Sequence, residues 1–277
     1  MSLVTTPAVV LQTYRYSETS KVVRLATREL GVQSALAKGA LRPKSRFGAG
    51  LELLSEGTAQ IYFRETRELH TLGAFDLTNL RRELAAEVGR FAGAAALAEV
   101  MLKMAPPAPL PRAYDVLLAA LDALAAAAAE RTDATAVRAI WQLLAVLGFE
   151  PLLTTCVRDG APIAPTGEPV LFSIAEGGAF CSRCSPSPAH PAPPTAQPHP
   201  PTRLPPQAYR DLVALNDPRA DLPTLDPAHT AAHRRLVARF VRYHLGEAGS
   251  LSALDFWERR AWTSSSPPFT SLPSAVS

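Results

Sequence analysis

The order in which structure-forming patterns occur constrains this chain more than any other feature. Up to residue 75, apolar and β-branched residues come in short runs broken by polar turns. From Asp76 onward, apolar residues recur at helical spacing. The runs at 8–12, 21–28, 32–38, 51–63 and 67–74 are rich in Val, Leu, Thr, Tyr and Phe. They are separated by Ser-Glu-Thr-Ser (17–20), Glu-Leu-Gly (29–31), a basic stretch at 39–50 and the turn at 64–66. Five short strands at this spacing predict a small closed or nearly closed barrel.

Beyond the barrel, Asp76 or Thr78 is placed to cap a helix running through Arg81, Leu84, Val88 and Phe91 to Met104, with Pro106, Pro107, Pro109 and Pro111 ending it. A second helix is expected over 114–130. A third, capped by Asp133, runs through Trp141 to Leu147 and stops at Gly148. Residues 154–185 are irregular and carry all 3 cysteines, and ten of the 22 residues from Ser185 to Pro206 are proline. Helical signals return at 206–215, at Asp226-Pro227 leading to Leu245 and Gly246, and at 250–262. The expected class is therefore α+β, in two parts. A barrel domain occupies 1–78 and an all-α domain 79–262, with a cysteine-containing insert at 154–185, a Pro-rich loop at 186–206 and a disordered tail at 263–277.

With 47% hydrophobic residues the chain can bury a core and is not a disordered protein. The longest apolar stretch, Val116 to Ala129, is interrupted by Asp122 and falls short of the roughly 18 residues a spanning helix needs. No ordered basic, apolar and small-residue signal appears at the amino end, and three cysteines do not make a disulfide scaffold. The expected location is the cytoplasm, at the nucleoid.

The net charge of +3 hides a split. Residues 1–75 hold ten Lys or Arg against six Glu, out of totals of 28 and 25, so the excess lies in the first quarter and the remainder is slightly acidic. Arg15, Lys21, Arg24, Arg28, Lys38, Arg42, Lys44 and Arg46 fall close together, opposed by Glu18 and Glu29. Pro43 and the flanking glycines make Arg42-Pro-Lys-Ser-Arg46 a loop. Cations on a loop suit phosphate contacts, which need charge and reach more than exact placement. Tyr14, Tyr16 and Phe47 lie near them as candidate stacking platforms for bases. A solvated charged face without a partner is the other reading of such a run.

Residues 9–15 followed by Ser-Glu-Thr-Ser-Lys21, then 23–28 with Gly31, Ala37-Lys-Gly-Ala40 and Arg42-Pro-Lys-Ser-Arg-Phe-Gly48 resemble the amino-terminal module of the bacterial recombination mediator RecO family. The likeness continues through Leu147-Gly-Phe-Glu-Pro151, Gly177-Gly-Ala-Phe-Cys181-Ser-Arg-Cys184 and Tyr243-His-Leu-Gly246. The resemblance implies an oligonucleotide-binding (OB) barrel ahead of a helical domain. It also implies a mediator that anneals complementary strands and helps load recombinase onto single-stranded DNA coated with single-strand-binding protein (SSB). The implied partners are single- and double-stranded DNA, RecR, the acidic C-terminal tail of SSB and, in some bacteria, RecF. Lys38, Arg42, Lys44 and Arg46 are expected on phosphates, with Lys21 and Arg24 in support. The alternative is an interaction adaptor that acts through its helical domain on RecR or the SSB tail and binds little DNA.

Many members of that family have two Cys-x-x-Cys pairs about twenty residues apart, the spacing of a structural zinc site. Here Cys181 and Cys184 form the second pair, whereas the first reads Cys156-Val-Arg-Asp159. Aspartate can ligate zinc through oxygen, and His190 or His199 could reach in from the Pro-rich loop. The other reading is a decayed site held by packing, so zinc is an optional cofactor and none is required. His229 and His233 have the spacing of a metal pair but lack the adjoining Glu of a hydrolytic helix. Gly48-Ala-Gly50 follows a basic loop and is no dinucleotide turn, and neither a nucleophile signature nor a phosphate loop is present. The expectation is a protein without enzymatic activity.

Overall fold

A computed structural model describes residues 2–48, 50–163, 167–185, 200–246, 250–260 and 262. Most of the Pro-rich loop, with His190 and His199, and the tail at 263–277 lie outside the described residues. Five strands, β1 (Ser2–Arg15), β2 (Lys21–Thr27), β3 (Gly31–Ala37), β4 (Glu56–Phe63) and β5 (Leu69–Asn79), form a closed barrel in the order β1-β2-β3-β5-β4. All neighbours are antiparallel except β3 and β5, where Ser34–Leu36 run parallel to Leu69–Thr71. This is a five-stranded OB barrel.

The long first strand closes the barrel by serving two neighbours. Its first half pairs with β4 and its second half with β2, and the register shifts between Val10 and Gln12. Such a bulge bends the strand and re-aims its side chains. Alternation then separates two cores. Val10, Val23, Leu25, Ala35, Ala59, Ile61 and Leu72 fill the barrel, whereas Val9, Leu11, Ala26 and Val32 pack with the helices.

Two sequence expectations are corrected here. The run at 51–63 becomes strand only from Glu56. Leu51 instead joins Phe47 in the barrel core, and residues 38–48 and 50–55 form turns, a plug that adds these two side chains to that core. The helix expected from Asp76 does not begin there, because Asp76 and Leu77 extend β5 by pairing with Thr58 and Gly57. The chain then turns at Arg81, which adopts a left-handed conformation (φ 49°), its amide donating to Asn79 Oδ1 at 2.8 Å. A single turn, α1 (Arg82–Ala85), precedes a separate helix, α2 (Val88–Met104). The Glu87 carboxylate caps α2, accepting from the Gly89 and Arg90 amides at 2.7 Å each.

The remaining helices are α3 (Pro111–Ala126), α4 (Thr132–Val146), α5 (Pro206–Asn216), α6 (Pro227–Leu245) and α7 (Ser252–Arg259). Pro111 opens α3 at its first turn rather than serving only as a breaker. Asp133 lies inside the first turn of α4 and is not its cap; it pairs with Arg260 at 3.0 Å and Arg234 at 3.6 Å. Asp226 caps α6, accepting from the Ala228 and His229 amides at 2.8 and 2.9 Å. Trp141, Phe240 and Trp257 are fully buried among Ala-rich helices. Gly93 lets α2 approach α4 closely, since a Cβ there would lie 3.0 Å from Ala136 Cβ. A small sheet, β7-β6-β8, is formed by β6 (Val170–Ser173), β7 (Gly178–Phe180) and β8 (Thr202–Leu204). Among the described residues no helix is long and apolar enough to cross a membrane.

Barrel and helices are joined by more than apolar contact. The buried Arg81 guanidinium donates to Glu56 of β4 at 2.7 Å and to Asp122 of α3. Arg28 in the β2–β3 turn donates to Asp115 of α3 at 3.0 and 3.2 Å. At Gly31 (φ 73°) a Cβ would fall 2.2 Å from the Ala108 carbonyl oxygen, so only glycine admits the loop between α2 and α3.

His233 on α6 is 2% exposed, and neither ring nitrogen has a hydrogen-bond partner. Burial lowers its pKa from 6.5 to about 4, with Asp211 opposing that shift. The native imidazole stays neutral while the unfolded one takes a proton. The stability present above pH 6.5 is therefore lost as pH falls toward 4, by about 3 kcal/mol. Denaturant melts at pH 7 and pH 4.5 should show this loss, and His233→Leu should remove most of it. Buried His70 and half-buried His244, whose pKa values burial also lowers, leave a residual slope.

Candidate nucleic-acid interface and metal centre

The helices cover Val9, Leu11, Ala26 and Val32 on the outer face of β1, β2 and β3, and leave Gln12 and Tyr14 of the same face exposed and Arg24, Ser34 and Leu36 half-buried. Register places Gln12, Arg24 and Ser34 in one cross-strand row and Tyr14, Val22 and Leu36 in the next. Tyr14 is 49% exposed, and Tyr16 in the following turn is 61% exposed. The segment that plugs the barrel borders this face. It is tied to the β1–β2 turn by the Leu41 amide donating to the Thr19 carbonyl at 3.0 Å.

Lys38, Arg42, Lys44 and Arg46 are all exposed on that segment, and among the described residues none of them has a carboxylate partner. Arg46 lies over the Phe47 ring at 5.0 Å. Phe47 itself is 3% exposed, so its expected role as a stacking platform is corrected: the ring is core. Lys21 is paired with Glu52 of the plug at 3.2 Å, and Arg24 is half-buried with its Nε unpartnered.

Sequence reasoning missed the far border of this face. The β4–β5 loop brings Arg67 opposite Arg24, and the two flank a cavity of about 650 Å³ also lined by Gln33, Ser34, Phe63 and Pro107. The loop is fixed by a chain of hydrogen bonds. The Arg64 amide donates to His70 Nδ1 (3.4 Å), His70 Nε2 to Gln33 Oε1 (3.0 Å), and Gln33 Nε2 to the Leu30 carbonyl (2.6 Å). This order needs a neutral imidazole, and burial lowers the His70 pKa accordingly. Glu65 and Glu68 on the same loop cancel its charge, which is why a count of cations passes over it.

The cysteine segment brings four predicted ligands together. One ligand atom from each of Cys156, Asp159, Cys181 and Cys184 lies within 4.8 Å of all the others. Two tight turns create the convergence. In the first, the Gly160 amide donates to the Cys156 carbonyl at 2.9 Å with Gly160 at φ 69°; in the second, the Cys184 amide donates to the Cys181 carbonyl at 3.2 Å. Asp159 accepts from the Ala161 amide at 3.1 Å and from Arg183 at 3.0 Å, and its Oδ2 is 3.5 Å from Cys181 Sγ.

The Ala161 amide, followed by the Cys156 thiol, holds the Asp159 carboxyl far below the usual range. Burial and then the Asp159 carboxylate push the Cys184 thiol up to about 12. For Cys181 burial works upward, but the Cys184 amide and neighbouring thiols outweigh it and lower the pKa. Three free cysteines and a carboxylate at this spacing fit a four-coordinate metal ion, and Cys156, Asp159, Cys181 and Cys184 would hold it. His190 and His199 lie outside the described residues. His229 bonds Asp226 at 2.6 Å, and among the described residues neither His229 nor His233 belongs to a group of three or more convergent ligands.

The family model for the Recombination protein O N terminal domain matches residues 1–81, and that for the Recombination protein O C terminal domain matches residues 86–252. The chain is 32% identical over 257 residues to DNA repair protein RecO of Anaeromyxobacter sp. (strain K), covering 89% of this chain and 93% of that protein. It is 31% identical over 187 residues to DNA repair protein RecO of Symbiobacterium thermophilum, covering 67% and 72% respectively.

The hydrogen-bond chain through His70 makes its own prediction. Gln33→Leu removes both bonds that Gln33 makes and leaves His70 Nε2 unsatisfied, at a cost of about 1–3 kcal/mol. Hydrogen exchange should quicken at the Arg64 amide and through the β4–β5 loop while the β1–β2 amides keep their protection. Unchanged exchange in the loop would mean that Gln33 does not hold it.

Proposed function

The chain belongs to the RecO family of recombination proteins, with a role in DNA repair, and from that premise we propose that it is a mediator acting by binding alone, without catalysis. It binds single- and double-stranded DNA on the barrel, anneals complementary strands, and helps load recombinase onto SSB-coated single strands. RecR, the SSB tail and in some settings RecF are its protein partners, and its place of work is the nucleoid. The partner assignments rest on family membership. The DNA assignment rests on the four exposed, unpaired cations Lys38, Arg42, Lys44 and Arg46 beside an open barrel face.

Those cations contact phosphates and release condensed counterions, which supplies affinity without reading sequence. Arg24 on the neighbouring strand carries the phosphate track toward Arg67, and Tyr14, on the next cross-strand row, offers an aromatic surface to unpaired bases. Lys21 joins by leaving Glu52, an exchange of one surface ion pair worth at most about 1 kcal/mol. Annealing follows from the same charge, since two polyanions brought onto one basic face no longer repel each other fully.

Fluorescence anisotropy with a single-stranded oligonucleotide at two salt concentrations tests the site. Affinity should fall steeply with salt, and replacing Lys38, Arg42, Lys44 and Arg46 together by Ala should flatten the slope of log K against log salt by about three units. Undiminished binding by that variant would sink the assignment, and no binding by the parent chain would leave the adaptor reading. A zinc ion held by Cys156, Asp159, Cys181 and Cys184 would act as a structural crosslink of the insert. Metal analysis should then find one equivalent in the purified chain and none in Cys181→Ser; one equivalent in both would refute the ligand set.

A further inference from the structure

We infer that Arg183 is the residue that makes Asp159 usable as the fourth metal ligand, by holding its carboxylate in the ligating position. This inference rests on the metal reading of the cysteine segment. A thiolate in the fourth place needs no orienting partner beyond its own turn, because it offers one donor atom. A carboxylate offers two oxygens and rotates freely, and outer hydrogen bonds fix which oxygen faces the metal.

Asp159 has both kinds of support. Its Oδ1 accepts from the Ala161 amide at 3.1 Å, and its Oδ2 accepts from Arg183 Nη2 at 3.0 Å. With the Arg183 contact made, the four ligand atoms already lie within 4.8 Å of one another, so Arg183 does not draw the carboxylate away from the thiols. Charge points the same way. Three thiolates and a carboxylate around a divalent cation leave an excess of two negative charges. Arg158 pairs with Glu176 through two bonds at 2.7 and 2.9 Å and donates to the Cys184 carbonyl at 3.1 Å, whereas Arg183 is the cation paired with Asp159 itself. The residue lies within the Cys181-Ser-Arg-Cys184 turn, so the segment that supplies two thiolates also supplies the counter-ion of the carboxylate.

A double-mutant cycle on the full chain separates this role from a general structural one. Zn²⁺ affinity is read by competition with a chromophoric chelator, and Co²⁺ substitution reports thiolate coordination by its charge-transfer absorption. The four proteins are the parent, Arg183→Ala, Asp159→Cys and the double variant. Arg183 is 76% exposed, so its replacement leaves the packing intact. In the parent, Arg183→Ala should weaken Zn²⁺ binding by about 10- to 100-fold. With Cys at 159 the loss should be at least about fivefold smaller, because the carboxylate is gone while any contact of Arg183 with the Cys181 sulfur remains. Arg183→Lys should recover part of the loss in the parent.

Equal losses in both backgrounds, or no loss in either, would overturn the role of Arg183 while leaving the metal site standing. A parent chain that binds neither ion, beside an Asp159→Cys variant that binds both, would overturn the four-ligand reading and this inference with it.

Discussion

A buried arginine at the junction of the two domains sets the frame for the rest of the molecule. Arg81 leaves the last barrel strand in a left-handed conformation and turns its guanidinium inward, between Glu56 of the barrel and Asp122 of the helical domain. Burying that cation costs several kcal/mol, and the two carboxylates largely offset the cost without making a large net contribution. The interaction therefore contributes orientation more than stability. With Arg81 in place, Val9, Leu11, Ala26 and Val32 meet the helices and are lost to solvent, while Gln12 and Tyr14 on the same strands stay exposed and Arg24 half-buried. The candidate DNA face lies on a part of the barrel that this docking leaves uncovered.

Much of the barrel was legible in the sequence because its strands alternate cleanly. The boundaries that failed did so for a common reason, competition between local and distant partners. Asp76 and Thr78 are good helix caps, but Thr58 and Gly57 pair with Asp76 and Leu77, the Thr78 hydroxyl donates to the Glu56 carbonyl, and no local signal reports a partner strand nearly twenty residues away. Leu51 and Phe47 read as a strand start and a surface aromatic, yet both complete the barrel core from a segment without regular structure. The basic segment was legible as charge. The β4–β5 loop was not, since Arg64 and Arg67 alternate with Glu65 and Glu68, and it reaches Arg24 only through the parallel pairing of β3 with β5.

The candidate metal ligands show the opposite case. Their spacing was legible, but whether Asp159 belonged with the thiols depended on side-chain direction. The structure supplies the answer through Gly160, whose positive φ turns the chain, and through the Ala161 amide and Arg183 guanidinium that donate to the two carboxylate oxygens. Spacing alone carries no information about those three groups acting together.

The contact at Gly31 bears on how such a chain can be rebuilt from parts. Backbone of the loop between α2 and α3 occupies the space where a side chain at position 31 would begin. Barrel and helical body are thus fitted to each other by a missing atom as well as by matched charges at Arg28 and Asp115. A chimera that took its barrel from a relative would have to import a glycine at that turn together with a loop of the same length. Swapping either half alone would pry the seam apart unless the other half were changed to match it.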